Sequence, residues 1–169
     1  METIKIYDTT LRDGMQGEGI TFSLPDKILI AKRLDEFGID YIEGGYPMSN
    51  PKEQQFFDEI QKAELKNAKI AAFGSTRRVN VKTSKDENLQ ALAACGAPVV
   101  TIVGKSWDLH VKDVLRCSLE KNLTVCAESV TYLKEMDREV IFDAEHFFDG
   151  YKANPEYAMK VLSLSLIHI

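Results

Sequence analysis

Apolar and polar positions along the chain fall into five blocks, each a short apolar run that closes on polar residues and is followed by a helical pattern. The first run is Ile4-Lys5-Ile6-Tyr7-Asp8. A loop from Thr9 to Leu24 carries Gly14, Gly17 and Gly19. It leads to Ser23, placed to cap a helix bearing Ile28, Leu29, Ala31, Leu34 and Phe37, which Gly38 ends. The second run, Asp40 to Pro47, precedes Asn50-Pro51, a capping residue with Pro at the first helical position, and then Phe56, Phe57 and Ile60 on one face. The third, Lys69 to Ser75, precedes a polar loop and a helix over 88–95. The fourth, Pro98 to Gly104, precedes a long helical stretch from about Val111 to Lys134. The fifth, Val140 to Glu145, is followed by a helix opening at Asn154-Pro155.

Strand starts roughly 30 to 40 residues apart match a strand plus a crossover helix, which makes the chain parallel α/β. Two architectures fit this spacing: a doubly wound five-stranded sheet, and the first five units of an eight-unit (β/α) barrel, which typically takes about 250 residues. The polar positions favour the barrel. Asp8, Arg12 and Asp13, then Glu43, Arg77, Lys105 to His110, and Asp143 to His146 all stand at or just past the ends of successive strands. A barrel gathers such ends at one mouth. The first loop also lacks the G-x-G-x-x-G of a dinucleotide site.

Composition removes several classes. The chain has 169 residues, is 44% hydrophobic and has a formal net charge of -5. A domain of that length builds a sufficient core without disulfides. Its acidic balance argues against nucleic-acid and anionic-membrane partners, since the one basic knot is Thr76-Arg77-Arg78 with Lys82 and Lys85. Cys95, Cys117 and Cys126 form no C-x-x-C pair, which suits structural thiols in a reducing cytosol. Met1 to Lys5 show no export pattern, and no apolar run approaches the roughly 20 residues of a membrane span. A cytoplasmic location is expected.

The densest polar cluster runs from Asp8 to Glu18. An Arg beside an Asp at a strand end offers a planar donor fork for a substrate carboxylate and an anion for a cation; the same pair also reads as a local ion pair. Glu43 precedes Gly44-Gly45, where a ligand or backbone can approach closely, or it pairs with Arg12. Glu145 shares strand parity with Asp143 and is a candidate acid or base, or the partner of a lysine such as Lys152. His110 is a candidate too, or a cap for the helix after the fourth strand.

Asp8-Thr9-Thr10-Leu11-Arg12-Asp13-Gly14 with Gln16 resembles the first-strand signature of the metal-dependent acyltransferase and lyase superfamily of 2-isopropylmalate, homocitrate and citramalate synthases and hydroxymethylglutaryl-CoA lyase. Four further segments look like its citramalate synthase branch: Tyr41 to Gly45, Ala72 to Arg78, Gly104 to Val111 and Asp143 to Lys152. The resemblance implies a (β/α)8 TIM barrel and condensation of acetyl-CoA with pyruvate to give (R)-citramalate and CoA. By the same resemblance Asp13 is a ligand of a divalent metal, Mg²⁺ or Mn²⁺ with Zn²⁺ as a third choice. Arg12 binds the keto acid and stabilises its carbonyl oxygen, and Glu145 is the fifth-strand catalytic glutamate. Gln16 and Glu43 match positions close to the substrate. 2-Isopropylmalate or homocitrate synthase is the alternative within the superfamily.

The superfamily also places two metal-binding histidines as His-x-His on a later strand, and this sequence has only His110, His146 and His168. The expectation is therefore a truncated chain: residues 1–160 as a partial barrel domain and residues 161–169 as an atypical tail. Five strands cannot close a barrel, so a homo-oligomer is expected to cover the open sheet. A non-catalytic, self-assembling half-barrel is the alternative of a different class.

Overall fold

The computed structural model describes residues 4–166. Met1 to Thr3 and residues 167–169, with His168 and the end of the atypical tail, lie outside them. Residues 161–166 simply continue the last helix. Five strands lie in one sheet in chain order: β1 (Tyr7–Asp8), β2 (Tyr41–Gly45), β3 (Lys69–Ser75), β4 (Val99–Lys105) and β5 (Glu139–Glu145). A doubly wound sheet reverses its order at a switch point, whereas sequential order is that of a barrel segment, so the barrel expectation holds. The chain divides into two compact units, residues 4–73 with 91–100, and residues 74–90 with 101–166.

In the first unit, β1 pairs with β2 and β2 with β3, all parallel. β1 is shorter than the apolar run predicts. The Ile6 carbonyl still accepts from the Asp40 and Tyr41 amides, but Ile4 and Ile6 are exposed and add little to the core. Helix α1 (Leu24–Phe37) begins with a reciprocal capping box between Ser23 and Asp26 and ends at Gly38, whose φ of 92° supplies the left-handed turn. Helix α2 (Pro51–Ile60) is capped by Asn50 and buries Phe56, Phe57 and Ile60. β2 is buried along its whole length and carries a bulge directly after Glu43, so that Glu43 faces Ala71 while Gly45 faces Ala72. Both glycines are dictated by packing. A Cβ on Gly44 would run into the Phe56 ring, and one on Gly45, at φ 141°, into the Glu53 carboxylate.

Helix α3 (Glu87–Ala94), whose first four residues belong to the second unit, starts where Asp86 accepts from the Leu89 amide. The single long helix expected after β4 is instead broken. A short turn α4 (Asp108–His110) passes into a π-helical turn over Val111–Leu115, and Arg116 at φ 54° stops it. Ser118 then caps helix α5 (Leu119–Glu135). After β5 come two helices rather than one, α6 (Phe147–Ala153) and α7 (Pro155–Leu166), the second capped by Asn154. The packed centre of this unit includes Val111, Cys126, Tyr157 and Val161. Asn122, fully buried, donates to the Lys105 carbonyl and the Tyr157 hydroxyl, which ties β4 to α5 and α7.

Candidate functional site

Each unit carries one polar cluster at the ends of its strands. In the first, the loop after β1 is shaped by Asp8, whose carboxylate accepts from the Thr10 amide and hydroxyl, and is anchored by the fully buried Leu11. This folds the chain back so that the amides of Arg12 and Gly14 both reach the Thr9 carbonyl. The Arg12 guanidinium then lies 4.0 Å over the Phe73 ring. Its Nε donates to Glu43 Oε2 at 2.6 Å, and its Nη1 to Asp13 Oδ1 at 2.9 Å. The other Glu43 oxygen accepts from the Tyr7 hydroxyl at 2.9 Å. Glu43 is therefore a buried anion with a cation and a hydroxyl on it, which offsets the cost of removing it from water.

Three charged groups thus form a chain in order of increasing exposure, Glu43, Arg12 and Asp13. Arg12 keeps Nη2 without a protein partner among the described residues. Its flat face is fixed by the ring below and its Nε by Glu43, so the remaining donor is aimed rather than loose. Asp13 is 59% exposed, and Gln16 stands exposed on the one-turn 3-10 helix Gly14–Gln16. Of the residues expected here, the structure brings Arg12, Asp13 and Glu43 together. The two alternatives for Glu43 coincide, since it pairs with Arg12 and precedes the glycine bulge. Tyr7 and Phe73 complete the anchorage. Neither was singled out, because an aromatic residue in an apolar run reads as core.

The second unit's cluster gathers at the end of β5. Glu145 is bonded by the Lys105 ammonium, not by Lys152, and its backbone carbonyl accepts from the buried Ser106 hydroxyl at 2.7 Å. His110 does not cap a helix with its side chain; its Nδ1 points toward Glu145 Oε2 at 3.8 Å. His146 has a left-handed backbone, φ 52°, which turns its ring edge-on to that of His110, with centroids 4.9 Å apart. Trp107 packs against His110 at 4.9 Å. Gly150 permits all this, because a Cβ there would lie 2.8 Å from the Ser106 carbonyl oxygen and 2.9 Å from Trp107 Cα. Asp143 is exposed on the same strand.

The basic knot is not a site. Arg77 is buried, with its guanidinium bonded to Glu128 and to the carbonyls of Arg78, Val79 and Val81. It holds the loop after β3 closed, with all three guanidinium nitrogens engaged by protein acceptors.

A family model described as HMGL-like matches residues 3–164. The chain is 61% identical to the (R)-citramalate synthase of Aquifex aeolicus, over 98% of this chain and 31% of that protein. It is 59% identical to that of Geobacter sulfurreducens, over 96% and 31%. Against a homocitrate synthase of Methanothermobacter thermautotrophicus the identity is 35%, over 85% and 34%. The chain thus spans about a third of the length of the curated relatives it matches. Among solved structures it superimposes on the HMG-CoA lyase of Bacillus subtilis with a TM-score of 0.72 at 15% identity, covering 98% of this chain and 55% of the other. At that identity the likeness concerns the fold.

Proposed function

Because the chain belongs to the HMGL-like family, we propose that it is the first part of the catalytic barrel of an (R)-citramalate synthase, which condenses acetyl-CoA with pyruvate and releases CoA. The observation that carries this reading is the anchorage of Arg12. A guanidinium fixed on an aromatic ring and a buried carboxylate, with one donor uncommitted, suits a keto-acid oxygen that gains negative charge as a carbon–carbon bond forms. The gap in identity between the citramalate and homocitrate synthases supports pyruvate as the acceptor and favours neither longer keto acid.

Arg12 binds the keto acid through Nη2, Glu43 holds Arg12 in place, and Gln16 reaches the substrate from its exposed turn. Glu145 takes the proton from the acetyl methyl group. The resulting carbanion attacks the keto carbon, whose carbonyl electron pair moves to the oxygen to form an alkoxide beside Arg12 that takes up a proton, and water then cleaves the C–S bond of the thioester to give citramalate and CoA. The family's divalent cation, Mg²⁺, Mn²⁺ or Zn²⁺, supplies Lewis-acid polarisation of the carbonyl when bound. Asp13 would be the ligand this chain contributes. One exposed carboxylate already paired to an arginine does not fit a resident divalent cation on its own.

That lone carboxylate favours a second reading for the 169 residues by themselves, a folding unit without turnover. We read the whole protein as a cytoplasmic enzyme whose product enters isoleucine synthesis; no described helix is long and apolar enough to cross a membrane. Every residue of β5 is at least partly exposed, whereas β2 is wholly buried, which under this second reading supports a homo-oligomer of the 169 residues in which a second copy covers β5.

The test is thiol release from acetyl-CoA by a chain carrying this sequence within the length of its relatives. Faster turnover with pyruvate than with 2-oxoisovalerate supports the proposal, and the reverse order overturns it in favour of 2-isopropylmalate synthesis. Turnover by the 169 residues alone that Asp13→Ala abolishes would overturn the second reading. A monomer in light scattering at high concentration would remove the oligomer.

A further inference from the structure

The three-ligand cluster of this chain is not at Asp13. Among the described residues, the one group of three potential metal-ligating side chains is His110, Glu145 and His146, whose donor atoms lie within 4.8 Å of one another. We propose that these three residues form a cation site of their own, separate from Asp13 and selective for a borderline transition metal such as Zn²⁺ or Co²⁺. The proposal shares Glu145 with the activity argued above, so an ion held there would compete with that carboxylate's role as a base, and the test reads binding rather than turnover.

The first argument is an orphaned donor. His110 Nδ1 is sealed from solvent and has no hydrogen-bond partner, a costly state for a nitrogen that water or a ligand would otherwise satisfy. It faces Glu145 Oε2 at 3.8 Å, too far for a hydrogen bond. With zinc–nitrogen and zinc–carboxylate distances of about 2.0 to 2.2 Å, a tetrahedral ion holds two ligand atoms roughly 3.4 Å apart, so the pair would have to close by a few tenths of an ångström to share one.

The second argument is the third ligand's backbone. His146 adopts a left-handed conformation that is uncommon outside glycine, and this places its imidazole against that of His110. Its Nδ1 lies 4.0 Å from Asp149 Oδ2, beyond hydrogen-bond reach, so a small ring movement would be needed before Asp149 could accept from Nδ1 and leave Nε2 to the ion. His146 is half exposed, so its ring is free to close the remaining distance. Trp107, stacked near His110, forms an apolar wall on one side.

Two imidazoles and one carboxylate suit Zn²⁺ or Co²⁺ and discriminate against Mg²⁺, which prefers oxygen ligands. The Lys105 ammonium now occupies Glu145 Oε2 and stands where the ion's charge would act, so metal and Lys105 compete for one oxygen.

Titration of the 169-residue chain with Zn²⁺ by calorimetry, and with Co²⁺ by visible absorption, tests this. One ion per chain is expected, with cobalt bands of low coordination number. Affinity should fall at least tenfold in His110→Ala and in His146→Asn, which keeps a residue tolerant of the left-handed backbone. Asp13→Ala should leave this binding unchanged, and Lys105→Met should strengthen it. Absence of binding to the folded protein, equal binding of Mg²⁺, loss of the site in Asp13→Ala, or retention within twofold in His146→Asn would each overturn the proposal.

Discussion

Arg12 Nε donates to Glu43 Oε2 at 2.6 Å, and Glu43 is 1% exposed. A surface ion pair of this kind would contribute little, but here one partner is enclosed and its second oxygen is filled by Tyr7. Removing the charge on either side therefore leaves the other in an environment built for two. Glu43→Ala is expected to destabilise the fold by about 3 kcal/mol, read from denaturant midpoints. Arg12→Lys keeps a positive charge but gives up both the Nε bond and the flat contact with Phe73. It should cost roughly 100-fold in turnover of the full-length enzyme, seen as thiol release, with a much smaller loss of stability.

The bulge after Glu43 depends on two adjacent glycines for different reasons. At Gly44 the obstacle is the Phe56 ring, and at Gly45 it is the Glu53 carboxylate together with a positive φ. Gly44→Ala should lower stability by about 1 to 3 kcal/mol and be partly rescued by Phe56→Leu, which gives the new methyl room. Gly45→Ala should lower it by a comparable amount with no rescue from that change, because its cost includes backbone strain. Thermal midpoints of the two single and two double variants separate the cases.

The strand and helix blocks were legible because each boundary is written locally. Ser23, Gly38 and Asn50-Pro51 act on their own helices, and the structure uses each of them. The long helix expected over Val111 to Lys134 failed for a different reason: Arg116 adopts a left-handed turn that nothing in its residue type announces, and only then does Ser118 become a cap. In the site, Arg12, Asp13 and Glu43 were recognisable as residue types. The partner of Glu145 was not, since Lys105 lies 40 positions away and is brought near by strand adjacency. Lys152, nearer in sequence, faces solvent.

Stability should decline at both ends of the pH scale through particular groups. Burial raises the pKa of Asp35, but bonds from the amides of Lys66, Ala68 and Asn67 outweigh it and hold the carboxyl below its ordinary value. A depressed carboxyl stabilises the fold above its unfolded pKa and loses that contribution as pH falls through the folded one. Asp35→Ala should therefore destabilise by about 2 kcal/mol at neutral pH and lessen the loss on acidification.

At the alkaline end, burial pushes both the Cys126 thiol and the Tyr157 hydroxyl up to about 12. Both groups ionise more readily when unfolded, so the stability they confer is intact below pH 9 and is lost as pH rises toward 12. Urea midpoints at pH 8 and pH 11 should differ less in a Tyr157→Phe, Cys126→Ala chain than in the parent. An equal difference in both would show that other groups dominate.

Lys105 and Lys152 give the sharpest contrast, because each is a plausible partner of Glu145 by sequence and only one is bonded to it. If Glu145 takes the methyl proton of acetyl-CoA, its carboxylate must be held in one orientation, and the Lys105 ammonium is the group that holds it. Lys105→Met removes that hold while preserving most of the buried stem. Turnover in the full-length enzyme should fall about 10- to 100-fold with KM for acetyl-CoA little changed, the pattern of a group that orients a base. Lys152→Met should leave both constants within a factor of two. Equal effects from the two variants would mean that general charge near β5 matters rather than this pair. A loss confined to KM would assign Lys105 to binding the thioester instead of positioning Glu145.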